Sequence, residues 1–167
     1  MELDGRSFDG GGEDPEQHRC FGEPVFSPSA GTVVGVVDGI PDGAVLTASS
    51  EPFGNHLVIE VAESEYLFLT QLQSDSLVPT IGESVERGAL VARVGASGFS
   101  MVSPMPHLGL HLATSPIAGQ GEGIPWSFHG FMSDGVFQAQ GLPRGGVARD
   151  GRFTGARVAH SGPPEAD

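Results

Sequence analysis

The chain predicts an all-β domain, built as two antiparallel sheets or a flattened barrel, and three observations carry that reading. Twenty-six glycines and thirteen prolines in 167 residues leave no long stretch free of helix breakers. The apolar residues arrive in short runs of strand length, rich in Val, Ile, Leu and Phe, and several of these runs alternate with polar positions. Clusters of Gly, Pro, Asp and Ser close the runs, which is the chemistry of corners and turns. At 38% hydrophobic the chain holds enough apolar residues for one domain with a modest core.

Residues 1–19 are polar, acidic and glycine-rich, the composition of a loose arm. A core domain is expected over residues 20–137. Within it, "CFGEPVFSPSAGTVVGVVDG" reads as a short strand, a Pro-Ser turn and a β-branched strand over Thr32–Val37 that stops at Asp38-Gly39. Residues 40–54 form a loop. "NHLVIEVAES" and "EYLFLTQLQ" then give strands His56–Val61 and Glu65–Leu72, joined as a hairpin through the polar residues between them. In "SLVPTIGESVERGALVARVGASG", Gly82 and Gly88 bracket Val85 as two corners, because glycine accepts the positive φ that corners need, and Leu90–Val94 follows as a strand. A histidine-bearing strand is expected near Leu108–Ala113, and the aromatics Trp126, Phe128 and Phe131 beyond it cover one end of a sheet. Residues 138–167, rich in Gly, Arg and Pro, read as a tail.

The charge balance narrows the partners. Twenty-one acidic residues stand against eight basic ones, all arginine, for a formal net charge of −13. Such a balance argues against nucleic acid. It fits a protein kept soluble at high salt and equally a genome biased against lysine codons. A single cysteine, Cys20, excludes an intrachain disulfide and a multi-cysteine zinc site, and reads as a small buried hydrophobe. No charged-then-apolar segment opens the sequence and no run of 18 apolar residues occurs, so as written the chain reads as cytoplasmic, without a membrane segment.

The chemistry-bearing stretch is "SPMPHLGLHLATSP". On a strand, alternate residues share a face, so His107, Gly109 and His111 would look the same way. If both side chains lean inward the two histidines are candidate ligands of a shared metal, with His56 or a loop carboxylate as the missing third ligand. The bland alternative makes His107 a hydrogen-bonded groove residue and His111 ordinary strand polarity. His129 and His160 read as surface residues.

Taken in order, "FGEPVFSPSAGTVVGVVDG", "GNHLVIEV", "YLFLTQLQSDSLVPTIGESVERGALVARVGASGFS" and "PHLGLHL" resemble the lysostaphin-like zinc metallopeptidases over residues 20–130. That resemblance implies the β-sheet core called the duplicated hybrid motif. It also implies a peptide or cell-wall-type ligand, the family's usual substrate being the peptide cross-bridge of peptidoglycan, and relatives that are usually extracytoplasmic.

The same resemblance implies one zinc, held by a His and an Asp of an early His-x-x-x-Asp motif and by the second His of a late His-x-His motif. The first His of the late motif and a His in an "AHL"-like segment flank the bound water. Here His107 matches the first late histidine, while Gly109 occupies the ligand position. Gln71, in "LTQLQ", stands where the "AHL"-like histidine belongs; it can donate a hydrogen bond but carries no proton near neutral pH. No histidine precedes the acids ahead of "CFGEPV" at the early spacing, so the early motif is expected either upstream of Met1 or lost. The loop "GASGFSMVSPMPH" also runs about three residues longer than the family pattern.

These substitutions yield a degenerate metallopeptidase domain that binds a peptide or cell-wall-type ligand, or a protein partner, through Asn55, His56 and His111. His107 and Gln71 mark the vestigial catalytic positions, and no cofactor is expected. The alternative is an active zinc endopeptidase with a displaced ligand set that includes His107 and His111. A biotinyl or lipoyl carrier, which the "PTIGESVERGALVARVGASG" pattern also fits, is excluded because the chain has no lysine.

Overall fold

The computed structural model describes residues 8–43, 52–98, 106–133, 136–141, 146–147, 153–154 and 158–159. They divide between two compact units, Met1–Ile124 and Pro125–Asp167. Among the described residues the only helical element is a 3-10 turn at Pro15–Gln17, and every strand pairing is antiparallel.

In the first unit the chain runs through β1 (Pro24–Phe26), β2 (Gly31–Val37), β3 (Asn55–Ala62), β4 (Glu65–Leu72), β5 (Ser84–Val85), β6 (Leu90–Arg93) and β7 (Gly109–Ala113). Five of these form one sheet in the order β5-β2-β3-β4-β7, and β1 pairs with β6 as a separate ribbon. Period-2 alternation gives the larger sheet two distinct faces. On one, Val33, Leu57, Ile59, Leu67, Leu69 and Leu72 pack with Val25 of β1 and with Val91 and Ala92 of β6, which makes the principal core. The other face carries Val58, Phe68 and Ala113 as a smaller cluster, flanked by Val34, Tyr66 and Ala118. His56, Thr70, Gly109 and His111 share that second face by strand parity and register.

The strands expected from the sequence lie within a residue or two of those observed, because apolar alternation and glycine corners both mark them. Gly82 and Gly88 adopt φ of +92° and +84°, and a side chain added at either meets nothing within 4 Å. Their requirement is therefore conformational rather than steric.

Both ends of the chain carry local structure. In residues 8–19 Phe8 bridges His18, the Gln17 side chain accepts from the Gly12 N–H at 2.6 Å, and Arg19 pairs with Asp9 at 3.1 Å. Gly10 and Gly12, at φ of +78° and +73°, supply sharp turns, while the Phe8 and His18 rings, 5.5 Å apart, supply the contact that closes them. At the other end the second unit runs from Pro125. It contains β8 (Phe128–Ser133), β9 (Val136–Gly141), β10 (Gly146–Val147), β11 (Phe153–Thr154) and β12 (Val158–Ala159), with a β12-β8-β9 sheet and a β10-β11 pair. Trp126 and Phe128 meet edge to face at 5.0 Å within this unit. His129 is exposed, whereas His160 lies outside the described residues.

Replacing Gly88 with Val should lower the unfolding free energy by at least about 1 kcal/mol, since an L-residue is held in the left-handed region. Gly123, which has no positive φ and equally open surroundings, is the control. Chemical denaturation should show Gly123→Ala unchanged or stabilised; a Gly88→Val midpoint equal to wild type would contradict the assignment.

Candidate functional site

The site is organised by an irregularity in β4. Asn55 pairs with Leu72 and Leu57 with Leu69, so β4 carries two residues, Thr70 and Gln71, where β3 carries only His56. This is a β-bulge, and Gln71 takes up the extra length with φ of +56°. Its backbone N–H donates to Phe53 O at 3.0 Å, and its carbonyl accepts from the Gly95 N–H at 3.0 Å. Both bonds hold a conformation that a non-glycine residue rarely adopts.

Thr70 and Gln71 then close on each other. The Thr70 hydroxyl donates to Gln71 Oε1 at 2.5 Å, and Gln71 Nε2 donates to Pro52 O at 3.3 Å. Directly opposite Thr70 across the β4–β7 ladder sits Gly109. A Cβ added to Gly109 would collide with Thr70 Oγ1 and would stand 2.5 Å from Gln71 Oε1. The space beside position 109 is thus filled by the Thr70–Gln71 pair. Thr70 went unread in the sequence, because a threonine in a strand is commonplace and only the ladder register sets it against Gly109.

His56 is buried, and its Nδ1 lies 2.7 Å from Gly54 O, a bond that puts the proton on Nδ1 and leaves Nε2 as the acceptor nitrogen in the neutral ring. His111 lies flat on Phe68, ring centroids 4.5 Å apart and 7° from parallel. Phe53 completes the group, 5.7 Å from the His111 ring and 6.2 Å from that of His56. Burial, and secondarily the charge of His56, lower the His111 pKa beneath the ordinary imidazole value. Two imidazoles and two phenyl rings therefore form one cluster next to the Thr70–Gln71 pair.

The remaining sequence-derived residues fall elsewhere. β7 begins at Gly109, so His107 precedes the strand and does not share a strand face with His111 as expected; it is exposed, with its backbone N–H on Gly95 O at 3.3 Å. Asn55, expected to bind ligand, is fully buried. Its amide donates to Ile40 O at 2.8 Å and Leu72 O at 3.1 Å and accepts from the Ile40 N–H at 2.8 Å, so the side chain braces the loop after β2. Asp42, not singled out from sequence, accepts from the backbone N–H groups of Ser74 at 2.8 Å and Ala96 at 2.6 Å and ties three segments together. Cys20 is on the surface rather than in the core; its Sγ donates to Pro106 O at 3.1 Å, and burial of the sulfur, then Glu23, push the thiol pKa up.

The donors do not fit a catalytic zinc. A catalytic site needs three protein ligands and an open position, and among the described residues no three His, Cys, Asp or Glu side chains converge to hold a metal ion. Gly109 offers no donor, and the oxygens nearest it belong to a hydroxyl and an amide already bonded to each other. What the arrangement supplies is a cluster of half-buried rings beside buried polar groups that bond within the protein.

Gly109→Ala should destabilise the fold by about 1–3 kcal/mol through overpacking against Thr70. Combined with Thr70→Ala it should cost less than the two single changes added, with a coupling of about 0.5–3 kcal/mol; additivity in a double-mutant cycle would show that the contact is absent. For His111, the unfolded chain accepts a proton below the ordinary imidazole value of 6.5 more readily than the folded one does. The stability associated with neutral His111 is complete above that pH and is lost as pH falls beneath it. His111→Phe should therefore gain stability relative to wild type progressively on acidification; a pH-independent difference in denaturation midpoint would refute the assignment.

No protein-family model matches the chain, and no curated protein does. Among solved structures it is similar to a point mutant of the catalytic domain of the prophage-encoded M23 protein EnpA from Enterococcus faecalis, at 22% identity and TM-score 0.48, covering 62% of this chain and 67% of that one. It is similar to the catalytic domain of the antimicrobial peptidase lysostaphin from Staphylococcus simulans, at 17% identity and TM-score 0.41, covering 65% and 77%. A zinc-containing peptidase from Vibrio cholerae matches at 28% identity and TM-score 0.42 over 55% of this chain, which spans only 24% of that longer protein. Among the described residues no helix is long and apolar enough to cross a membrane. Of the three solved structures, the lysostaphin and Vibrio cholerae proteins are described as peptidases and EnpA as an M23 protein.

Proposed function

We infer that this chain is a non-catalytic, lysostaphin-like domain that binds a peptide or cell-wall-type ligand, or a protein partner, on the face carrying His56, Thr70, Gln71 and His111. One observation carries the reading: Thr70 and Gln71 occupy the space beside Gly109 that a ligating side chain at that position would need. A glycine there removes the ligand, and the pair across the ladder removes the room for it. Gln71 orients rather than transfers protons, since its amide does not ionise. The half-buried rings of Phe53 and His111 give the face flat apolar surface with polar groups alongside, which suits an extended peptide.

A specific observation favours a second reading, that of a working zinc endopeptidase with displaced ligands. The hydrogen bond from His56 Nδ1 to Gly54 O is the arrangement that orients a ligating imidazole, with Nε2 left to bind metal. Phe53 lies against both rings, 6.2 Å from that of His56 and 5.7 Å from that of His111, so the two imidazoles flank one side chain. A third ligand would have to come from outside the described residues.

Metal content by atomic spectroscopy, measured beside hydrolysis of a pentaglycine and a stem-peptide substrate, separates the two. Substoichiometric zinc, no turnover, and retention of the protein on purified peptidoglycan or stem peptide that Gln71→Ala weakens are expected. One tightly bound zinc per chain with chelator-sensitive hydrolysis would establish the peptidase instead.

A further inference from the structure

We propose that Asp38 is a site of intrinsic isoaspartate formation, and hence a substrate for an enzyme that methylates isoaspartyl carboxyl groups. An aspartyl side chain closes to a succinimide when the backbone nitrogen of the next residue reaches its Cγ. Glycine in that next position removes the Cβ that would crowd the ring. β2 ends at Val37, and Asp38-Gly39 follows immediately. The Gly39 N–H lies 2.8 Å from Asp38 Oδ1, so the attacking amide is already turned toward its own neighbour's carboxyl group. Both residues are exposed, Gly39 has φ of +86°, and nothing stands within 4 Å of the place its Cβ would take. The ring and the hydrolytic water both have room.

The other Asp-Gly pairs among the described residues are held differently. At Asp42-Gly43 both carboxylate oxygens are taken, by the Ala96 N–H at 2.6 Å and the Ser74 N–H at 2.8 Å, and the Gly43 N–H points to Ala96 O at 3.1 Å. At Asp9-Gly10 the carboxylate is paired with Arg19 at 3.1 Å. Neither directs the glycine amide at the preceding carboxyl group.

The chemistry needs no oxidant or reductant. The Gly39 nitrogen attacks Cγ of the protonated carboxyl, an N–Cγ bond forms, and water leaves with the carboxyl hydroxyl and the amide proton. Water then opens the ring. Cleavage of the N–Cγ bond restores Asp38, whereas cleavage at the main-chain carbonyl carbon routes the chain through Cβ and Cγ and frees the α-carboxylate. A sulfonium methyl donor can esterify that carboxylate, with a thioether as the leaving group. The isoaspartyl chain is longer by one methylene just before Ile40, whose N–H and carbonyl are both bonded to the Asn55 side chain. Asp75 also loses the acceptor for its N–H, now at 2.9 Å. The modification thus loosens the brace adjacent to His56.

The test ages the folded full chain in mildly acidic buffer, labels it with an isoaspartyl methyltransferase and radioactive S-adenosylmethionine, and locates the label by peptide fragmentation. Label is expected on the peptide containing residue 38, rising toward one methyl group per chain, with the peptide containing Asp42 unlabelled. The urea-unfolded chain should lose this selectivity. Asp38→Glu should abolish the label at that position. Even labelling of every Asp-Gly pair in the folded protein, or an unmodified Asp38 after all other pairs have reacted, would overturn the proposal. Neither result bears on whether the domain binds metal.

Discussion

The left-handed conformation of Gln71 is the constraint on which the site depends. In a regular strand, alternation would send Gln71 to the face of Leu69, into the principal core, where an amide would sit among leucines and valines. The bulge inserts one residue, so Thr70 and Gln71 both face His56 and the phase recovers at Leu72, which is buried in that core. A non-glycine residue in this region costs of order 1 kcal/mol or more. Two backbone hydrogen bonds, to Phe53 O and from the Gly95 N–H, offset that cost by fixing both ends of the residue. The same bonds draw the loop before β3 and the loop after β6 toward one point, so the backbone strain and the assembly of the site have a common origin.

The two faces of the five-stranded sheet divide the work. The face against the β1–β6 ribbon is apolar and closed, and it supplies most of the burial that holds the first unit together. The opposite face is mixed, and its buried polar atoms are matched to one another: no buried side-chain nitrogen or oxygen among the described residues lacks a partner. That matching bears directly on chemistry. A metal centre needs donor atoms left over and aimed at one point, whereas here the hydroxyl of Thr70, the amide of Gln71 and the amide of Asn55 are directed to partners in the protein.

The fold was legible because its two signals are local. Period-2 apolar runs located β2, β3, β4 and β6, and glycine corners at Gly82 and Gly88 located the turns around Val85. The site was less so, since its meaning lies in register. His107 and His111 look paired along the sequence, yet the strand starts between them, at Gly109, and His111 turns to Phe68 and Phe53 instead. Asn55 reads as a polar residue in a glycine-bounded segment, and nothing local reveals that Ile40 and Leu72 enclose it. The burial of His18 against Phe8 inside an acidic stretch was hidden for the same reason: composition averages over the few contacts that order a short segment.

Thr70 and Gly109 are best understood as one packing unit, facing each other across the β4–β7 ladder with the larger side chain on β4 and none on β7. Each is tolerable because of the other: Gly109 gives Thr70 room, and Thr70 with Gln71 fills what would otherwise be a void beside a half-buried glycine. A histidine placed at 109 meets the Thr70 hydroxyl, and removing that hydroxyl leaves Gln71 Oε1 without its donor. A side chain added at 109 alone, or the Thr70 hydroxyl removed alone, is therefore uphill in folding free energy. Interdigitated packing across one strand pair makes the arrangement self-reinforcing, because each position fixes the size its neighbour can have.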